Sequence, residues 1–400
     1  DDYLPECWQA GEIIRARCLA VGEKAEECEA RARAARANHV AAGSQGYMTV
    51  PGSKVEDWLD AGQCRDCYMP TYNHRPGCSV QYALALRDFS NGPEPARFRF
   101  GLLGSSDVHT ARPGTGYKEQ NRRMMTDTAL GRLGPPAFLK KQDPVPESVP
   151  LSEATALGPY FERFASFFGT GGLVAVHSTG RDRQSIWDGL QRKEVYGTSG
   201  DRILLWFNML DDQTGETFPM GSSVTQRNNP IFEVKAAGAF EQKPGCPPDV
   251  VRALSPDRLE RLCGGECYNP SDKRKRIDRI EVVRIRPQLF QDEPVGPLIE
   301  DPWIVLDCPQ DDSSCRVTFE DPDFMKGRRD AVYYIRAIEQ ASPAINGDLL
   351  RCKEDEDGQC VEVNPCFATA PTDLSDDCLA SVEERAWSSP IFVDYGEAGG

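Results

Sequence analysis

The stretch F100-GLLGSSDVHTARPGTGYK-E119 decides how the first half of the chain is read. It is preceded by Ala96-Arg-Phe-Arg-Phe, so apolar and charged residues alternate before the run turns wholly apolar and ends in small polar residues. That pattern predicts a strand buried at its far end, followed by a loop. Asp107 and His109 stand just past the strand end. On extended backbone, residues two apart point to the same side, so a carboxylate and an imidazole there can reach one metal centre. An ordinary strand end followed by a turn has the same spacing, because a D-x-H triplet recurs by chance. The whole chain has only 4 histidines, and the other three, His39, His74 and His177, are isolated.

Working outward, residues 110–150 are basic, proline-rich and irregular, the composition of a long loop. Arg112, Lys118, Arg122 and Arg123 make it locally cationic, suited either to clamp a small anionic substrate or to form solvated surface ion pairs. Ser152–Gly169 reads as a helix with a serine N-cap. Gly171–Gly180 reads as a strand with His177 at its end, and residues 181–193 as an amphipathic helix. His177 is a further candidate for substrate binding, against the alternative of a loop hydrogen bond. Strand, loop, helix, strand and helix at this rhythm mark an α/β layer or barrel. The turn sequence Thr198–Arg202 is read as a connection between two parts of the chain.

After about residue 200 the pattern changes. RILLWFNML, PIFEVKAAGAF, RIDRIEVVRIRP, WIVLDC, CRVTFEDP, AVYYIRAIEQ and SPIFVDY are strand-like runs between polar turns. Seven such runs without long helices between them predict a β-sandwich-like domain over 201–400. Residues 8–38 predict two helical pieces broken at Gly22, with Cys18 and Cys28 placed to pin them. A short helix is expected at Lys54–Gly62, and helical periodicity covers 79–89.

Fifteen cysteines in local clusters point to short-range disulfides, and so to a periplasmic or extracellular protein. The odd count leaves one thiol free or paired outside the chain. Cys64, Cys67, His74 and Cys78 have a spacing that four-coordinate zinc also accepts, while Cys263–Cys267 reads as loop bridging. The net charge of −16 argues against a nucleic-acid partner, and no run reaches the length of a transmembrane segment. Asp355–Gly358 is acidic but lacks the ordered ligand spacing of a calcium loop. The first residues carry neither a signal peptide nor a natural-looking start, so processing, truncation or further sequence upstream is expected.

The opening stretch, together with GLVAVHSTGRDRQSIWDGLQRKEVYGTSGDRILLWF (172–207) and RAWSSPIF (385–392), resembles the DUF3604 family, related to the PHP (polymerase and histidinol phosphatase) metallohydrolases, from about residue 50 onward. The resemblance implies that residues 1–200 are the C-terminal part of a PHP-like, distorted TIM-type α/β barrel with a disulfide-rich helical and loop insertion. It implies that Asp107 and His109 are metal ligands for divalent zinc, manganese or iron, serving hydrolysis of a phosphoester or related ester by metal-activated water. The family's early H-x-H motif is absent. A separate N-terminal chain or segment is therefore expected to complete the barrel and its ligand set. The alternative is a non-catalytic secreted or envelope-associated binding or structural protein that retains the fold.

Overall fold

A computed structural model describes residues 6–20, 22–42, 79–90, 95–105, 172–310, 314–345, 352–356, 360–363 and 379–396. In chain order the helices are α1 (Glu6–Ala20), α2 (Ala25–Ala42), α3 (Val80–Ala85), α4 (Arg183–Gln191), α5 (Pro248–Ala253), α6 (Pro256–Cys263) and α7 (Phe324–Gly327). The strands begin with β1 (Arg87–Asp88), β2 (Ala96–Arg97), β3 (Leu173–Val176), β4 (Val195–Thr198), β5 (Leu204–Leu210), β6 (Thr217–Pro219) and β7 (Ser223–Gln226). They continue with β8 (Ile231–Ala237), β9 (Phe240–Gln242), β10 (Pro270–Arg274), β11 (Ile277–Ile285), β12 (Ile299–Asp307), β13 (Ser314–Glu320) and β14 (Ala331–Glu339). The last are β15 (Ser342–Ile345), β16 (Cys352–Glu354), β17 (Cys360–Val363), β18 (Leu379–Val382), β19 (Arg385–Ser388) and β20 (Ile391–Tyr395). The fold is mixed α/β and dominated by sheet.

Its centre is an eight-stranded sheet with the path β12-β11-β14-β19-β4-β3, to which β20 adds by pairing with both β14 and β7. A four-stranded sheet, β13-β8-β5-β6, lies against it. One core joins the two, because Leu205, Phe207, Phe232 and Val234 of the smaller sheet bury against Ile280, Val282, Tyr333 and Ile335 of the larger. Phe232 and Tyr333 meet with ring centroids 4.7 Å apart. β5 shows why the sequence folds this way: its even-spaced Leu205, Phe207 and Met209 are fully buried while Leu204 and Trp206 are exposed. β14, buried at nearly every position, reads as a continuous apolar run because it lies inside the sheet between β11 and the pair β19 and β20.

Among the described residues no closed barrel is present. β3 and β4 pair antiparallel, Val174 opposite Gly197, and β4 continues antiparallel to β19 in the open sheet. A TIM-type barrel needs parallel neighbours joined by helical crossovers. Strands on both sides of residue 200 share the eight-stranded sheet.

The local expectations near the N-terminus match the helices found. α1 and α2 flank Gly22, whose φ of +86° suits glycine, and Cys18 bridges Cys28. α3 is shorter than the periodicity of 79–89 implied: Ser79 caps it by accepting from the Tyr82 amide, and Leu86 is already extended. The helices expected at 54–62 and 152–169 lie outside the described residues, as do Cys64, Cys67, His74 and Cys78.

Candidate functional site

The apolar run Phe100–Gly104 does not join a ladder; it lies on top of β4. A methyl group at Gly101 would sit 3.3 Å from Val195 Cγ2, and one at Gly197 would sit 2.9 Å from Gly104 Cα. The run therefore travels along β4 toward Thr198, and two glycines let the backbones touch. The Leu102 amide donates to Ser389 Oγ at 2.9 Å, which ties the run to the connection between β19 and β20. Ser105 is the last described residue of this segment. Asp107, His109, Arg112 and Lys118 lie outside the described residues, as do Arg122 and Arg123.

At the Thr198 end of β4 the chain gathers buried polar groups from distant elements. Ser199 donates its hydroxyl to Glu384, and its amide donates to the Arg385 carbonyl at 2.9 Å. Asp201 is ion-paired with Lys275, whose ammonium also donates to Ser342 Oγ at 3.0 Å. Glu339, fully buried, accepts the Ala239 amide at 2.5 Å through Oε1. Its Oε2 has no donor partner and lies 4.0 Å from Lys275 Nζ. Burial and then the neighbouring charge of Asp201 push the Glu339 carboxyl up to about 9. Glu339 therefore stays protonated at neutral pH and can donate to Asp201, which answers the missing partner. Composition and spacing gave no sign of this cluster, since its members come from three separate strand ends and a turn.

His177 occupies the opposite end of the same strand pair. Its amide donates to the Glu194 carbonyl at 2.9 Å, and its ring lies 5.6 Å from that of Tyr196 and 5.8 Å from that of Trp206. Nε2 is 2.8 Å from the Leu205 carbonyl, which can only accept, so Nε2 carries the proton and Nδ1 is the basic nitrogen. α4 closes over this end because Gly189 has no side chain; a methyl there would stand 2.6 Å from the His177 carbonyl oxygen. Asp182 caps α4 by accepting the Ser185 amide at 3.0 Å, and the Ser185 hydroxyl and amide hold its carboxyl below the usual range. The structure thus places His177 away from the end toward which Gly101–Ser105 runs.

Two other places gather charged or metal-binding side chains. A cavity of about 310 Å³ is lined in part by Arg284, Arg286, Lys326 and Arg329. Each of these cations meets a carboxylate, of Asp321, Glu300, Asp323 and Glu293 respectively, so each is already engaged in an ion pair. The second is sulfur. Cys246 is bridged to Cys267, and the buried free thiol of Cys263 lies beside them, the three sulfur atoms all within 4.8 Å of one another. This corrects the local-bridge reading of Cys263–Cys267: Cys267 reaches back to Cys246. Among the described residues it is the group of side chains that can hold a metal ion. Cys308–Cys315 adds a third disulfide to those of Cys18–Cys28 and Cys246–Cys267, a density that suits an oxidising compartment. No described helix is long and apolar enough to cross a membrane.

Residues 89–238 match the family model described as a protein of unknown function, DUF3604. The matched segment is narrower than the resemblance read from sequence, which ran from about residue 50 onward. It takes in Asp107, His109, His177 and the Thr198–Arg202 turn, the last leading into the buried acidic cluster. No curated protein and no solved structure matches the chain.

Proposed function

We propose that the DUF3604 segment carries a PHP-like, metal-dependent hydrolytic site. In this reading Asp107 and His109 are ligands of a divalent zinc, manganese or iron ion. Further ligands come from a preceding segment or a second chain that also completes a barrel, while the β-rich remainder forms a sandwich-like domain. The observation that supports it is the course of Gly101–Ser105, which runs along β4 toward the Thr198 end within the matched segment. Asp107 and His109 follow two and four positions after Ser105 in sequence.

The donors are of a suitable kind, a carboxylate and an imidazole being the pair that borderline divalent ions accept. The carboxyls of Asp201, Glu339 and Glu384 are engaged with Lys275, the Ala239 amide and Ser199, so they shape the end of the strand rather than serve as ligands. When bound, the ion would supply a Lewis acid and lower the pKa of water. The chain's part is to bind and orient the substrate. Arg112 and Lys118 meet its anionic group, while His177, at the far end of the strand pair, stands apart from it. A phosphoester or related ester of a small anionic molecule fits these groups.

Metal analysis of the full chain and of the Asp107→Ala plus His109→Ala variant tests the reading. The wild type should hold metal that the variant lacks; equal metal content in both overturns it. A second reading, a periplasmic or extracellular binding or structural protein without catalysis, is favoured by one observation. The described carboxylates at the Thr198 end are already satisfied within the fold.

A further inference from the structure

The sulfur cluster lies far in sequence from Asp107 and His109, and nothing in the hydrolytic reading uses it. α6 begins at Pro256 after Ser255 and ends at Cys263, where Gly264 takes the left-handed conformation with φ of +57°. Gly265 follows, also left-handed, so the chain reverses at once and brings Cys267 back over the helix end. Cys246 lies just before α5. The outcome is a triangle of sulfurs: Cys263 Sγ is 3.3 Å from Cys267 Sγ and 3.8 Å from Cys246 Sγ. Leu259, Val250 and Leu254 pack around it and form an apolar shell.

We propose that, in the reduced chain, Cys246, Cys263 and Cys267 form a three-thiolate site for a thiophilic d¹⁰ cation such as Zn²⁺ or Cu⁺. Metal–sulfur bonds of about 2.3 Å at tetrahedral angles put the sulfurs about 3.8 Å apart. The Cys263–Cys246 edge, at 3.8 Å, already stands at that separation and the Cys263–Cys267 edge, at 3.3 Å, is shorter; the third is closed by the Cys246–Cys267 bridge. Because Cys263 lies near both bridged sulfurs, it sits beside the bond and not in line with it. In-line attack on a disulfide needs the third sulfur at the end of the bond, whereas a shared ion needs it at the apex of a triangle. The arrangement favours coordination over thiol exchange.

The site is gated by redox state. A dithiol reductant delivers two electrons and two protons to the Cys246–Cys267 bond, giving two thiols and the reductant's own disulfide. Binding of the ion by the three thiols then releases their protons to solvent. Exchange with a small-molecule disulfide then reverses this: the Cys246 and Cys267 thiolates give it two electrons and reform their bridge, the oxidant leaves as two thiolates that take protons from solvent, and the ion is released. The bridged, metal-free state is the one an oxidising compartment favours.

The test uses the full chain, reduced with a phosphine that is then removed, and Cd²⁺ as the probe. Wild type is compared with Cys263→Ser, which leaves the Cys246–Cys267 bridge intact in the oxidised form; matching circular dichroism of the two oxidised proteins verifies the fold. Wild type is expected to bind one more equivalent of Cd²⁺ than the variant, with a stronger thiolate-to-metal charge-transfer band. Cd²⁺ should also protect Cys246, Cys263 and Cys267 together from alkylation, as mapped by mass spectrometry. Equal stoichiometry, or alkylation of the three at the same rate with and without Cd²⁺, overturns the proposal. So does a Cd²⁺ difference that persists undiminished in the oxidised proteins. Because Asp107 and His109 are unchanged throughout, failure here leaves the hydrolytic reading as it stood.

Discussion

Ser389 Oγ accepts the Leu102 amide at 2.9 Å, joining the segment that leads to Asp107 with the turn between β19 and β20. The serine is fully buried and its own amide donates to the Val195 carbonyl at 3.0 Å. Three pieces of chain are thereby held at one point. Ser389→Ala leaves the Leu102 amide without its acceptor, at a cost of about 1–3 kcal/mol. The urea midpoint should fall with an unchanged slope.

Gly197 and Gly104 make the same junction by contact. A methyl group at residue 197 would meet Gly104 Cα and N at 2.9 Å and O at 3.0 Å, all backbone atoms that no side-chain rotation can move. Gly197→Ala should cost about 1–3 kcal/mol through overpacking. It should also raise protease sensitivity around residues 101–105, whereas Gly215→Ala, where nothing lies within 4 Å, tests only the strain of a positive φ. Limited proteolysis of the two variants side by side separates them.

Glu339 gives the fold a pH dependence with a definite sign. Its carboxyl rises from an ordinary 4.5 to about 9 on folding, from burial first and the charge of Asp201 second. The folded state therefore holds a proton that the unfolded chain gives up. The stability this contributes is fully present below about pH 4.5 and is lost as pH rises toward about 9. Glu339→Gln mimics the protonated form, keeps an acceptor for the Ala239 amide and offers a donor to Asp201. Thermal melts from acid to alkaline pH should show the variant losing less stability than wild type over that window.

Asp321 is the deepest carboxylate of the cavity wall. It accepts both contacts from Arg284 Nη1 at 2.9 Å and the Tyr333 hydroxyl at 2.6 Å, and only 1% of its surface is exposed. Asp321→Ala strands part of the Arg284 charge and the tyrosine hydroxyl. A loss of about 3–5 kcal/mol is expected, read from chemical denaturation. Asp323→Ala, on an exposed pair with Lys326, should leave the denaturation midpoint nearly unchanged.

What could be read from the sequence was local. Gly22 and the cysteines at 18 and 28 announce a pinned helical hairpin because every cue lies within one short stretch. The seven apolar runs after residue 200 all contain strands, since a strand buried on one or both faces must carry its own hydrophobic signal. β4 escaped notice because Val-Tyr-Gly-Thr is short, wholly buried and contains a glycine, so it shows no alternation. Its neighbour β19 comes from residues 385–388, and nothing in either tetrapeptide announces the other. The acidic cluster was hidden for the same reason: Asp201, Glu339 and Glu384 become a group only when the sheet order places their strand ends together. Cys246 and Cys267 differ from the expected local pairing because two successive left-handed glycines turn the chain further than spacing alone suggests.

The position of β14 has a consequence for how the molecule is made. One side of this strand pairs with β11, which precedes it, while the other pairs with β19 and β20, at residues 385–395. During synthesis β14 must wait with an open hydrogen-bonding edge and a nearly continuous apolar surface until those residues emerge. β20 in turn is the strand that brings in β7, by a parallel pairing of Phe392–Tyr395 with Ser223–Gln226. The central sheet is thus assembled late, and β14 stays uncovered along one edge until residues 385–395 have been made.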